Sequence, residues 1–130
     1  MKDSLLRSFG CVAFLASAMA YGQNYLDKTI TMVVPFAAGG PTDTVARLVA
    51  QSMGTQLKQQ IIIENVGGAG GTIGAARVAK ASPDGYTLLL HHIGHSTAPS
   101  LYRKLTYKPI ESFEPIGLAC QLLVHESLEA

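Results

Sequence analysis

The chain has 130 residues, of which 48% are hydrophobic and 15% are charged, and its formal net charge at pH 7 is +1. This length predicts a single domain, and the apolar content excludes an intrinsically disordered protein. The sequence has no basic patch and no basic stretch interleaved with aromatic residues, which argues against nucleic acid as a partner.

Residues 1–20 have the pattern of a secretory signal peptide. A start with two basic residues leads into an apolar stretch, which ends in Ala18-Met19-Ala20, the small-x-small pattern that a signal peptidase cleaves. The apolar stretch is only about half the roughly 20 residues that a transmembrane helix needs, which disfavours a membrane anchor. We therefore predict export, with residues 21–130 as the mature chain.

The two cysteines indicate a chain without an internal disulfide. Cys11 would be the acylated residue of a lipoprotein, but "SFGC" lacks the usual leucine three positions before the cysteine. Removal of the signal peptide leaves Cys120 as the only thiol, and one thiol cannot form an internal disulfide. Cys120 lies in the apolar run "IGLACQLLV", so we expect it to be a small buried hydrophobic residue.

The first strand and helix are predicted from a β-branched run and a helical repeat. "TITMVV", residues 29–34, is almost continuously apolar, as expected of a strand covered on both faces, and Pro35 ends it. Thr42 or Asp43 can then cap a helix. Its apolar face is predicted to consist of Val45, Leu48, Val49, Met53 and Leu57.

The rest of the chain repeats the order of strand, glycine-rich loop and helix. "IIIE", residues 61–64, predicts a second buried strand, and a glycine-rich run follows it. "SPDG", residues 82–85, is a turn signal. The other predicted elements are an alanine-rich helix at 73–81, a strand at 86–90, a loop at 91–100, a short helix at 101–105 and a strand at 116–124.

This alternation is typical of a parallel α/β sheet. Right-handed crossovers place the loops that follow the strands along one edge of the sheet, which is the edge where open α/β sheets bind ligands. We therefore expect the loops at residues 35–43, 65–73 and 91–99 to converge on one site.

The first two of these loops favour an anionic ligand. The start of a helix carries unpaired main-chain N–H groups and a partial positive charge, and glycine lets a ligand approach those groups closely. Neither loop contains lysine or arginine, which suits a small carboxylate better than a nucleotide phosphate. The alternative is that the glycines only form tight turns.

A small secreted α/β enzyme is a second possible class. The second loop begins a dinucleotide pattern with Gly68-x-Gly70, but Ile73 stands where the third glycine belongs. Ser96 has histidines nearby in sequence, yet it lacks a G-x-S-x-G elbow and a positioned acid. No catalytic cluster is therefore recognisable.

The histidine-rich loop suggests a third class, a metal-binding protein. His91, His92 and His95 form "HHxxH", for which zinc would be the first candidate. The spacing is not HExxH, Gly94 is expected to interrupt any helix, and no acidic residue or cysteine lies nearby to complete a metal site. Local hydrogen bonding is therefore the favoured role of these side chains.

Three segments together resemble one known family. "ITMVVPFAAGGPTDTVARLVA", "IIIENVGGAGGTIGAARVAKASPDGYTLLL" and "GHSTAPSLYRKLTYKPIESFEPIGL" are similar to the periplasmic substrate-binding receptors of tripartite tricarboxylate transporters, the Bug receptors. The resemblance implies a type II periplasmic-binding-protein-like clamshell that grips a small organic carboxylate and delivers it to membrane transporter subunits. It implies no enzymatic activity and no cofactor.

The resemblance also implies a set of binding residues. Main-chain N–H groups, hydroxyls and ordered water would hold one carboxylate, while Asp43 would brace the first loop and cap its helix rather than meet the anion. The implied ligand-binding residues are Phe36, Ala37, Ala38, Gly39, Gly40, Asp43, Gly70, Gly71, Thr72, Ser96 and Thr97.

One departure from the family is the length of the chain. Members of the family are much longer, and the end "LLVHESLEA" resembles the approach to their first hinge crossing. We therefore expect residues 21–130 to be the N-terminal part of the first lobe, in a truncated form without the second lobe. Such a form would bind ligand weakly and would expose sheet edges and apolar surface.

Overall fold

The structure is a computed structural model that describes residues 27–120, so the predicted signal peptide and positions 121–124 of the last predicted strand lie outside it. None of the helices between residues 27 and 120 has the length and apolar character that crossing a membrane requires. The elements are β1 (Ile30–Val34), α1 (Pro41–Leu57), β2 (Ile61–Asn65), a 3₁₀ turn (Ala69–Gly71), α2 (Thr72–Ala79), β3 (Thr87–Leu89) and α3 (Gly94–Leu101).

The three strands form one parallel sheet in the order β2-β1-β3. Ile30 pairs with Ile61 at one end of β1 and Val34 pairs with Asn65 at the other, while Thr31 pairs with Thr87 on the opposite side. The predicted parallel α/β class is confirmed. Because all three strands point the same way, the loops that follow them leave the sheet at one edge.

The sequence predicts that β1 and β2 are both buried, but only β1 is. Its side chains are buried except at Thr31, whereas those of β2 are half-buried or exposed and Ile62 is 46% exposed. The prediction of a fully buried second strand is wrong, because within residues 27–120 β2 is an outer strand with one neighbour. A run of isoleucines does not distinguish a central strand from an outer one.

The start of α1 differs from the predicted cap. Gly40 is the N-cap residue and Pro41 is the first helical residue, so neither Thr42 nor Asp43 caps the helix. Proline is favoured at this first position because its missing N–H would have no partner within the helix. The Asp43 carboxylate instead accepts a hydrogen bond from the main-chain N–H of Gly39, just outside the helix, at 2.8 Å.

The face of α1 that packs on the sheet is built from small residues. Ala46 and Ala50 are buried, and Ala46 contacts the core around Met32 and Val34. Val49 is half-buried against the same core. Met53 of the predicted apolar face also packs there, whereas Leu48 is 63% exposed and lies off this face. Alanine allows the helix to approach the sheet closely. A prediction based on the spacing of large apolar residues overlooks alanine.

This packing leads to a prediction for Ala46→Leu. Ala46 is 0% exposed, and a larger side chain there would force apart the helix and β1, so we expect a loss of about 1–3 kcal/mol in the free energy of unfolding. Urea unfolding of the whole chain measures this. Leu48→Ala, on the exposed side of the helix, is the control and should change stability by less than about 0.5 kcal/mol. Equal effects of the two changes would contradict the assigned packing face.

The region after β3 departs most from prediction. Residues 94–100, predicted to lie in a loop, belong to α3, which ends at Leu101, and the rest of the predicted helix at 101–105 is absent. Gly94 is the first residue of α3, where a glycine does not interrupt the helix. Residues 116–120 form no strand, because nothing among residues 27–120 pairs with them, and Cys120 is exposed rather than buried.

Candidate functional site

The loops after β1 and β3 meet around the ring of Phe36. The Phe36 ring stacks on the ring of His92, with centroids 4.3 Å apart and an interplanar angle of 22°. It meets the ring of His91 edge to face, at 5.2 Å and 81°. The predicted convergence of the first and third loops therefore takes place through aromatic packing.

The loops after β1 and β2 are joined by Asn65, the last residue of β2. Its side-chain amide donates to the main-chain oxygen of Phe36 at 3.1 Å and to Asp43 Oδ1 at 2.9 Å. Gly67 also lies against the first loop, since a Cβ there would be 3.8 Å from Ala37 N. All three predicted loops thus lie together at the carboxyl edge of the sheet.

Asp43 is the charged centre of the first loop and is 2% exposed. Its carboxylate accepts from Arg47 Nε at 2.9 Å, from Gly39 N at 2.8 Å and from Asn65 Nδ2 at 2.9 Å. The hydrogen bond from Arg47 is the main cause that lowers the pKa of Asp43 to about 2, and those from Gly39 and Asn65 add to it. A carboxylate with these partners braces the loop from within.

The tip of the first loop presents main-chain donors to solvent. Ala37, Ala38 and Gly39 are exposed, and within residues 27–120 the N–H groups of Ala37 and Ala38 have no hydrogen-bond acceptor. Gly39 has a φ of 80°, and no other atom lies within 4 Å of where its Cβ would be. Gly40 caps α1, so these donors stand at the positive end of a helix.

The second loop is arranged differently, because side chains of this chain cover its glycines. A Cβ on Gly70 would lie 2.5 Å from the Tyr102 hydroxyl oxygen, and one on Gly71 would lie 2.7 Å from His91 Nε2. Both glycines have positive φ, 62° and 91°. The Thr72 hydroxyl donates to the main-chain oxygen of Ala69 at 2.9 Å. Gly70 and Gly71 therefore have no side chains of their own, but the side chains of Tyr102 and His91 cover part of the loop.

Ser96 and Thr97 lie in the first turns of α3 and are exposed. The Ser96 hydroxyl donates to the main-chain oxygen of Ile93 at 3.1 Å, and the Thr97 hydroxyl donates to that of Gly94 at 3.4 Å. Both hydroxyls thus bond within their own helix and keep acceptor capacity for another group.

The three histidines pack against other rings. Burial is the main cause that lowers the pKa of His91 to about 4, so the imidazole is neutral at pH 7. His95 Nε2 lies 2.9 Å from the main-chain oxygen of Pro109, and its ring contacts Phe113 and stacks on Tyr107. Between residues 27 and 120, no three His, Cys, Asp or Glu side chains are grouped so as to hold a metal ion.

Sequence reasoning missed Arg47, Asn65 and Tyr102 at this edge, and it considered His91 only as a metal ligand or a locally bonded side chain. The spacing of Asp43 and Arg47 by four residues is a helix-pair signal that could have been used. Asn65 could have been suspected from its place at the end of a strand. Nothing local predicts that Tyr102 would lie against the second loop, because it follows α3 and belongs to none of the three predicted loops.

The match to a family model decides the identity of the chain. The model described as the tripartite tricarboxylate transporter family receptor matches residues 45–124, which is more than half of the sequence. The chain belongs to this receptor family. The resemblance inferred from the sequence is confirmed, and this family is one of transporter receptors.

Curated relatives support the same assignment. The chain is 60% identical over 99 residues to a UPF0065 protein of Agrobacterium vitis, and the match covers 76% of this chain and 29% of that protein. It is 38% identical over 107 residues to the protein BugT of Bordetella pertussis, covering 78% of this chain and 32% of BugT. The chain spans about a third of the length of these relatives.

Solved structures of this receptor family share the fold. The periplasmic binding protein BugD has a TM-score of 0.70 and 60% identity, with 72% of this chain and 31% of BugD covered. MatC from Rhodopseudomonas palustris with bound malate has a TM-score of 0.64 and 56% identity, with 67% and 30% covered. The R. palustris protein Rpa4515 with adipate has a TM-score of 0.63 and 39% identity, with 66% and 29% covered. The type II clamshell-lobe class is confirmed.

Proposed function

We propose that this chain is a periplasmic receptor that binds a small organic carboxylate for a tripartite tricarboxylate-type membrane transporter. Residues 1–20 would direct export, and residues 21–130 would form part of the first lobe. The three-loop cluster around Phe36 would be the carboxylate site. The observation that carries the proposal is the pair of unpaired N–H groups of Ala37 and Ala38 in front of α1.

The chemistry of the first loop suits a carboxylate. Main-chain N–H groups at the start of a helix donate to an anion and add the favourable helix dipole. The Asp43 carboxylate is already hydrogen-bonded to Gly39 and Arg47. The positive charge of Arg47 offsets its negative charge, which reduces its repulsion of an incoming anion. In the proposed site Phe36 and Gly40 support this loop, and the hydroxyls of Ser96 and Thr97 would rotate away from their carbonyl partners in α3 to donate to the ligand.

The structural relatives support the same ligand class. MatC was solved with malate and Rpa4515 with adipate, and both of these ligands are dicarboxylates. A site made of main-chain donors has no charged side chain with which the whole ligand must pair. It can therefore hold one carboxylate of a small ligand while other residues hold the second carboxylate. The choice among dicarboxylates is therefore expected to depend on residues around the first loop rather than on its N–H groups.

A panel of dicarboxylates tests the proposal. We expect malate, succinate or adipate to raise the melting temperature of the mature chain, because a ligand at a hundredfold excess over its dissociation constant stabilises by about 2.7 kcal/mol. Dimethyl esters of the same acids, which lack the charge, should have no effect. A cooperative melt that no dicarboxylate shifts would overturn the proposed function.

Ala38→Pro tests the site itself. Ala37 to Gly40 form a turn closed by Gly40 N and Ala37 O at 3.4 Å, with Gly39 at a φ of 80°. A φ near this value at the third position is typical of a type II turn, which favours proline at the second position. Ala38→Pro therefore keeps the turn and removes only the N–H group. We expect affinity for a dicarboxylate to fall roughly tenfold or more, since hydrogen bonds to charged groups contribute about 1.5–3 kcal/mol.

Ala38→Ser, which keeps the N–H group, is the matched control and should bind as the unsubstituted chain does. Isothermal titration calorimetry of the three forms gives the comparison. Equal affinities for the proline and serine variants, with equal melting temperatures, would remove the first loop from the binding site.

A further inference from the structure

Two polar side-chain atoms from outside the second loop lie against its glycines. The hydroxyl of Tyr102 occupies the space beside Gly70, and Nε2 of His91 occupies the space beside Gly71. Tyr102 follows α3, and His91 follows β3. Each glycine therefore has a polar side-chain atom of another element at the place where its own side chain would be.

Both atoms are free to bond to a ligand. Neither the Tyr102 hydroxyl nor His91 Nε2 has a hydrogen-bond partner among residues 27–120. The buried polar atoms without a partner in that range belong to Glu64, His95 and Tyr107, so these two atoms keep access to solvent. The other ring nitrogen of His91, Nδ1, lies 2.9 Å from the main-chain N of His92 and 3.0 Å from its carbonyl oxygen, so it accepts from the first or donates to the second according to the tautomer.

Both tautomers of His91 have a main-chain partner for Nδ1, so the group that meets Nε2 decides which tautomer forms. A carboxylate at Nε2 selects the tautomer in which Nδ1 accepts from the N–H of His92 and the proton of the neutral imidazole is on Nε2, which then faces the second loop as a donor. The Tyr102 hydroxyl can donate as well. The ring of His91 is held in place by Phe36 on one side and by His92 and His95, with centroids 5.1 and 5.2 Å away.

We propose that Tyr102 and His91 bind a carboxylate oxygen of the ligand directly at the second loop. The inference rests on the proposed function, and it changes the chemistry expected there. The ligand would be recognised by two neutral side-chain donors, while Gly70 and Gly71 provide the room in which those donors stand. Specificity at this loop would thus depend on the two side chains and not on bare main-chain N–H groups.

Conservative variants test this directly. Tyr102→Phe and His91→Phe keep the rings and remove the donors, and we expect each to weaken dicarboxylate binding roughly fivefold, as for the loss of one hydrogen bond of about 1 kcal/mol. His91→Gln places an amide nitrogen near the position of Nε2 and should restore most of the affinity. Calorimetric titration with malate and with adipate at pH 7.5 measures all of them.

Tyr86→Phe is the matched control for the tyrosine change. Tyr86 precedes β3, at the opposite edge of the sheet, and its hydroxyl bonds to Asp27. We expect this variant to bind as the unsubstituted chain does. Thermal melts of every variant separate a loss of affinity from a loss of fold, because removal of a binding donor alone leaves the melting temperature unchanged in the absence of ligand.

The possible outcomes separate the two proposals. If the unsubstituted chain binds and both phenylalanine variants bind equally well, the inference is overturned while the proposed function stands. If His91→Gln fails to restore the affinity that His91→Phe loses, the proposed role of His91 as a hydrogen-bond donor is overturned. If the unsubstituted chain binds no dicarboxylate, the proposed function fails, and the inference fails with it.

Discussion

Replacing Gly71 with alanine should destabilise this receptor more than any other single change proposed for its loops. Gly71 has a φ of 91°, a conformation that costs other residues about 1–3 kcal/mol. Its added Cβ would lie 2.7 Å from His91 Nε2 and 3.1 Å from Phe36 Cζ, so the packing between loops would also be forced apart. We expect a loss of roughly 2–4 kcal/mol in the free energy of unfolding.

Two other glycines serve as graded controls for this experiment. Gly39 has a φ of 80° but no neighbouring atom within 4 Å of its Cβ position, so Gly39→Ala should cost only the backbone strain, about 1 kcal/mol. Gly117 has neither a positive φ nor a neighbour, and Gly117→Ala should be close to neutral. Urea unfolding gives the three values, and equal losses for Gly71→Ala and Gly39→Ala would contradict the close contact of the loops.

Replacing Asp43 with asparagine should both weaken ligand binding and lower the melting temperature. The carboxylate is surrounded by donors only, from Gly39, Arg47 and Asn65. Asparagine has the same shape, but its NH₂ group would face one of those donors and leave a buried group unpaired. We expect the melting temperature to fall by roughly 5 °C or more, and the first loop to lose the position in which its N–H groups are held.

Asp84→Asn is the control for this change, because Asp84 is exposed and accepts a hydrogen bond from Tyr86 N in a turn. Its melting temperature and its affinity for dicarboxylates should match those of the unsubstituted chain. Retention of full affinity and stability in Asp43→Asn would show that the network is not needed to position the loop.

The low pKa of Asp43 predicts where stability depends on pH. The folded pKa, about 2, is below the ordinary value of 3.8, so the unfolded chain binds a proton at a higher pH than the folded chain does. The stability that Asp43 contributes is therefore complete above about pH 4 and is lost as the pH falls toward 2. Melts across this range should show a smaller decline for Asp43→Asn than for the unsubstituted chain.

Local sequence determined much of this protein. The β-branched run before Pro35 made β1 a buried strand, and the recurrence of strand, glycine loop and helix was enough to predict a parallel sheet with its loops at one edge. The motif order also identified the receptor family, which the family model confirms. These features depend on residues that are close together in the sequence, so short sequence patterns are enough to predict them.

Tertiary structure alone decided which strand is central and which side chains meet at the edge. Ile61 to Ile63 resemble a buried strand in sequence, but burial depends on the number of paired neighbours, and β2 has one. Likewise the glycines of the second loop predicted room for a ligand, whereas folding brings Tyr102 and His91 into that room. Such contacts join residues far apart in the chain, so no local pattern contains them, and only the packing of the sheet and its helices brings them together.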